Sequence, residues 1–147
     1  MSDALVAALR RSPEWLPHSL DAAQDSWLAV RLSEAQYRAA SFLDGRMLGP
    51  QAQARWLPVA AALKAAAGLA PARPAFLFHI GHCGSTLLAR LLGELPGLFA
   101  LREPAALRTL AEWDGAPEHW WDADAFAARR DALFALWARV WRPGERA

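Results

Sequence analysis

The sequence predicts an α/β protein, helix-rich, with a small, mostly parallel sheet that is left incomplete. Three observations predict it. An apolar run at residues 75–80 reads as a buried strand. A loop with two glycines, Gly81-His82-Cys83-Gly84-Ser85-Thr86, then leads into an apolar helix over 87–92. A second short apolar run, 98–101, ends at Arg102-Glu103-Pro104. Strand, loop, helix and strand make a βαβ unit when the two strands are parallel.

The other elements can be taken in chain order. Residues 2–10 read as a short helix with Ser2 as its cap, and Pro13 and Pro17 break the stretch after it. Residues 27–32 read as a strand. Ser33 and Gln36 have the spacing of a capping box, and the helix they open carries Tyr37, Ala40, Leu43 and Met47 as one apolar stripe. An Ala-rich helical stretch over 51–67 is interrupted at Pro58, which suits the first turn of a new helix ending at Gly68. Ala70-Pro71-Ala72-Arg73-Pro74 reads as a linker. It divides a helix-rich region of residues 1–70, an accessory layer for the sheet, from a unit of residues 75–147. After Pro104 the pattern gives a helix over 105–113, a turn at 114–117, and a long helix over 122–141. Phe126, Leu133, Trp137, Val140 and Trp141 form the apolar stripe of that last helix. The eight tryptophans read as packing residues.

Two strands after the linker and one before it fall short of the ~4–6 of an ordinary sheet. The chain therefore reads as the first part of a larger protein, a truncated product, or a half that a partner or a second copy completes. Net charge is +1, which leaves no basic field for general nucleic-acid binding. No apolar run approaches the ~18 residues of a membrane span. The start, Met1-Ser2-Asp3, lacks the basic and apolar regions of a secretory signal. Cys83 is the only cysteine, so no disulfide forms within the chain. Together these give a cytoplasmic reading.

The loop carries the candidate chemistry. A helix N-terminus offers about four unpaired N–H groups and a partial positive charge. With Gly84 curling the backbone, the amides of Cys83, Gly84, Ser85 and Thr86 can converge on one anion, and the Ser85 and Thr86 hydroxyls add donors. The plain alternative is an ordinary strand–turn–helix corner capped by Ser85. His79, His82 and Cys83 are ligand-type residues, but zinc needs three or four that converge, so no metal is expected. Cys83 would act as a nucleophile only with His79 or His82 as a neighbouring base.

The same stretch resembles the P-loop sulfotransferases. Their loop reads Pro-(Lys/Arg)-Ser-Gly-(Thr/Ser)-Thr and precedes an apolar helix. Gly81 through Thr86 match it, Glu94-Leu95-Pro96-Gly97 matches the linker after the helix, and Arg102-Glu103-Pro104 matches the strand end. The family's Pro falls on Gly81 and its Lys or Arg on His82. The resemblance implies a P-loop NTPase-like three-layer unit. It also implies transfer of a sulfuryl group from 3′-phosphoadenosine 5′-phosphosulfate to a hydroxyl or amine acceptor that the sequence does not identify. Gly81, His82, Cys83, Gly84, Ser85 and Thr86 would hold the donor. His82 would face the bridging oxygen where charge develops, with a marked pH dependence near neutrality. Glu103 would take the acceptor's proton; its plain alternatives are an ion pair with Arg102 or another Arg, or a cap on the helix after Pro104. The motif for the donor's 3′-phosphate has no counterpart here.

Two other readings stay open. One is a non-catalytic or truncated module that binds an anion or nucleotide. The other is a P-loop kinase-like protein, disfavoured because the only lysine, Lys64, lies outside the loop.

Overall fold

The computed structural model describes residues 3–71, 73–80, 83–114 and 122–139. Its sheet is built entirely from the first 58 residues. Strands β1 (Trp15–Asp21), β2 (Ser26–Arg31) and β3 (Ala54–Pro58) lie in that order, and both pairings are antiparallel. The β1–β2 hairpin turns within four residues. The Asp21 carboxylate accepts from Gln24 N–H at 3.0 Å, and Asp25 takes a left-handed φ of 46°. The central strand β2 is buried from Trp27 through Val30 without alternation, because side chains cover both of its faces.

The sheet is not the parallel one expected. The segments 75–80 and 98–101, read as its two strands, carry no strand, helix or turn. An apolar run forms a strand only when another strand meets its main-chain groups. The three observed strands satisfy one another through antiparallel pairing, and β3 is the nearest sheet edge in sequence. What holds of the fold class is coarser: a helix-rich, mixed helix-and-strand protein with a small three-stranded sheet.

Pro17 does not break the chain as expected. It lies inside β1, which pairs on one side only, and the register shifts between Pro17 and Ser19. An edge strand with a bulge is where a residue without an N–H is tolerated. Residues 54–57 belong to a strand rather than to an Ala-rich helix. Pro58 then caps α3 (Val59–Ala66), so the helix start expected there is found.

Helix α1 (Asp3–Arg11) has Asp3 in its first turn and Arg10 and Arg11 in its last, complementing the helix dipole. Helix α2 (Glu34–Ala39) opens with the expected capping box: Gln36 N–H donates to Ser33 Oγ at 3.2 Å and Ser33 N–H to Gln36 Oε1 at 2.8 Å. It is shorter than its apolar stripe. Ala40 is extended, and Leu43 and Met47 lie in a loop that ends in a short 3₁₀ turn at Gly45–Met47. Tyr37 and Leu43 are both buried all the same. Helices α4 (Ser85–Leu92), α5 (Ala105–Asp114) and α6 (Ala123–Trp137) complete the chain. The turn over 115–117, His119, and the last residues of the long helix, Val140 and Trp141, lie outside the described residues.

The core joins the sheet to the later helices. Helix α3 packs on α1 and α6, and α5 and α6 pack on β1. Trp113 of α5 stacks on Phe126 of α6 at 4.3 Å between ring centres. The buried Trp137 indole N–H donates to Pro17 O at 3.0 Å and ties α6 to the edge strand. Trp27, Trp113 and Trp137 are packing residues, as expected, whereas Trp56 is half exposed. The buried His18 links β1 to the loop ahead of the 3₁₀ turn, with Nε2 3.1 Å from Asp44 O and Nδ1 2.6 Å from Ser19 Oγ. Among the described residues no helix is long and apolar enough to cross a membrane.

Candidate functional site

The site is built around the start of α4. Gly84 is its N-cap, at φ 84° and ψ 15°. A Cβ there would meet nothing within 4 Å, so backbone conformation rather than space calls for glycine. No side chain caps the helix. Its first turn closes with Leu88 N–H on Gly84 O at 3.0 Å. The N–H groups of Ser85, Thr86 and Leu87 make no hydrogen bond to another described residue. Ser85 therefore does not cap the helix, and the Ser85 and Thr86 amides, two of the donors expected to face an anion, have no partner among the described residues. Cys83 and Gly84 are exposed, Ser85 and Thr86 half-buried. Gly81 and His82 lie outside the described residues.

An open groove of about 640 Å³ runs beside this helix start, with His79, Cys83, Gly84 and Ser85 as its polar lining and Leu77 and Phe78 among its apolar one. His79 brings Glu103 to the same place. Its Nε2 is 3.6 Å from Glu103 Oε1, while Nδ1 faces Ile80 O at 3.2 Å. A neutral imidazole can donate to only one of these two oxygens. Glu103 itself holds a left-handed φ of 45°, which costs a non-glycine residue about 1–2 kcal/mol.

Of the plain alternatives, an ion pair of Glu103 with Arg102 does not form, while Glu103 does act electrostatically on Arg46. Arg102 turns inward, is 8% exposed, and donates through Nη2 to Tyr37 O at 3.0 Å and Arg38 O at 2.7 Å. It thus satisfies carbonyls at the end of α2. Burial lowers the guanidinium's hold on its proton, and the neighbouring Arg90 lowers it further. The turn is fixed a second time through the backbone, since Leu43 N–H donates to Arg102 O at 2.8 Å and Ala105 N–H to Leu43 O at 3.0 Å. Arg38 adds a bond to Gly93 O at 3.0 Å. The body of the protein therefore holds the strained Glu103 turn on one side of the groove.

Two functional positions escape the sequence reading. The apolar run puts His79 on a strand, where it counts only as a metal ligand or a base for Cys83. Arg102 reads as a surface partner for Glu103. The one signal for His79 is its polar identity inside an otherwise apolar run. Among the described residues no three His, Cys, Asp or Glu side chains gather as a metal would need. Compared with protein-family models, with curated proteins and with solved structures, the chain finds no match.

Proposed function

We propose that this is a sulfotransferase-like protein that binds 3′-phosphoadenosine 5′-phosphosulfate at the start of α4 and transfers its sulfuryl group to a hydroxyl or amine. One observation carries the reading. A left-handed Gly84 opens a helix with no side-chain cap, whose first amides have no partner among the described residues, on a groove lined by His79, which in turn faces Glu103. The amides of Ser85 and Thr86 and both hydroxyls would grip the donor's 5′-phosphate, each charge-assisted bond contributing about 1.5–3 kcal/mol. His82 would stand near the bridging oxygen. Glu103 would accept the acceptor's proton as the acceptor oxygen or nitrogen bonds to sulfur. The sulfur–oxygen bond to the donor's phosphate then breaks, and the bisphosphate leaves with the electron pair. A cytoplasmic location and an anionic nucleotide as small-molecule partner complete the reading.

The second reading is a non-catalytic module for an anion or a protein partner. It is favoured by one observation: the loop unit lies outside the core, with Phe78 92% exposed.

Calorimetric titration with adenosine 3′,5′-bisphosphate, beside magnesium–ATP, separates these readings. Micromolar bisphosphate binding that is lost in Ser85→Ala/Thr86→Ala supports the donor site. Glu103→Gln then abolishes turnover and spares binding. Tighter binding of magnesium–ATP moves the protein to the kinase-like class. Binding of neither ligand leaves the non-catalytic module.

A further inference from the structure

Among the described residues, eleven large apolar side chains are exposed, and nine of them fall between Phe76 and Leu98. Single exposed apolar residues need no explanation, but a contiguous patch does. This one is contiguous. Leu77, Phe78, Ile80 and Leu88 line the same groove, and Leu87, Leu88 and Leu91 share one face of α4. Exposure runs from 41% at Leu88 to 92% at Phe78, and α4 buries no residue at all.

With a whole aromatic side chain covering about 150–250 Å² and Leu or Ile somewhat less, the nine side chains, 41–92% exposed, present on the order of 1,000 Å². A typical monomer's largest patch is about 300–600 Å², and each partner in a standard stable interface buries about 800 Å². The strip alone is thus large enough for a dimer. Its main chain is equally available. No N–H of residues 75–80 donates to another described residue, and aromatic and β-branched residues there favour pairing as a strand. The strip is also compatible with itself. Its only fully charged residues are Arg90 and Glu94, one of each sign, so the strip carries no net charge of its own to repel a second copy.

From this we infer that two copies of the chain associate through this strip, residues 75–80 pairing antiparallel with the same residues of the second copy and the exposed faces of α4 closing over them. An antiparallel pair about a two-fold axis makes an isologous contact, in which one patch serves both sides. The inference stands on the exposed strip and does not depend on the nucleotide reading.

The test is the solution mass of the full chain, with sedimentation over a wide concentration range. The expected mass is about 32 kDa, twice the 16.1 kDa of one chain. Phe78→Asp/Ile80→Asp and, separately, Leu87→Glu/Leu91→Glu are expected to give the single-chain mass with an unchanged circular dichroism spectrum. A measurement on the unaltered protein stands beside the variants: amide exchange at 75–80 slows as concentration rises. Three results would each overturn the proposal. These are a single-chain mass at every concentration, a dimer that survives both double substitutions, and exchange at 75–80 that ignores concentration.

Discussion

Trp27 and Phe78 sit in apolar runs of similar length, yet Trp27 is 2% exposed and Phe78 is 92% exposed. The difference lies in main-chain partners. Trp27 belongs to a strand paired on both sides, opposite Leu20 on β1 and Leu57 on β3. Among the described residues no strand lies beside 75–80. β1 meets β2 through a four-residue hairpin, which costs little loop entropy, and the ordered β1–β2 pair then offers β3 an edge to join from across α2. Strands for 75–80 have to be reached across a helix or supplied by another molecule. Apolar composition therefore says that a run seeks burial; available pairing decides whether it finds it.

The largest test of this contrast is a pair of truncations. Trp27→Ala is expected to destabilise the protein by about 3–5 kcal/mol, the usual cost of deleting a large buried aromatic. Phe78→Ser, measured in dilute protein, should stay within about 0.5 kcal/mol of the parent, as exposed sites do. Urea unfolding monitored by circular dichroism reads both. Equal losses would mean that 75–80 belongs to the folding core, and the contrast would fail.

Arg102 sharpens the boundary between the two regions, because it fastens the segment after α4 to the end of α2. Arg102→Ala is expected to cost about 1.5–3 kcal/mol, the range for hydrogen bonds made by a charged donor. The loss should appear as early amide exchange around 37–43, ahead of global unfolding. No change at those amides would make the two bonds to α2 incidental.

How much of the fold is legible in the sequence depends on the range of the signal. Ser33 and Gln36 specify a local device four residues long, and both of its hydrogen bonds are present. The helices at 105–114 and 123–137 are visible from their stripes. β1 is hidden because Pro17 reads as a breaker until one knows that the strand is an edge. β3 is hidden because Ala54 to Leu57 is flanked by alanines on both sides, and only pairing with β2 makes it a strand. At the site, the left-handed glycine and the open helix start are legible from Gly84-Ser85-Thr86. The contact of His79 with Glu103 is not, since it depends on how Arg102 and Leu43 hold a turn far away in sequence.

His18 offers a smaller effect, confined to the sheet side. Burial holds its pKa below the ordinary 6.5, against the opposing pull of the Asp44 carbonyl and carboxylate. The unfolded chain thus binds a proton more readily than the folded one. Stability is fully present above about pH 6.5 and is lost as pH falls through the folded value. A separate loss comes at lower pH. The Arg46 side chain holds the Asp44 carboxyl down from 3.8 to about 2, so its contribution disappears between those values. Chemical unfolding measured from pH 8 to 5 should show the first decline in the parent and a flatter line in His18→Gln. An equally steep decline in the variant would assign it to other groups.

The smallest expected change reverses the usual sign. Glu103 sits at φ 45°, where glycine is at ease, and its contact with His79 is a partly exposed pair at 3.6 Å, worth ~0–1 kcal/mol. Relief of strain should outweigh loss of that pair. Glu103→Gly is therefore expected to stabilise the fold by up to about 1 kcal/mol. The turn remains held through Leu43, whose bonds to Arg102 O and from Ala105 N–H do not involve the Glu103 side chain. A carboxylate held in this strained conformation fits a group positioned for its chemistry. Thermal unfolding of Glu103→Gly beside Glu103→Gln separates backbone strain from the lost charge, because glutamine keeps the strain. If both variants lose stability alike, the pair with His79 holds the turn and the backbone carries no cost.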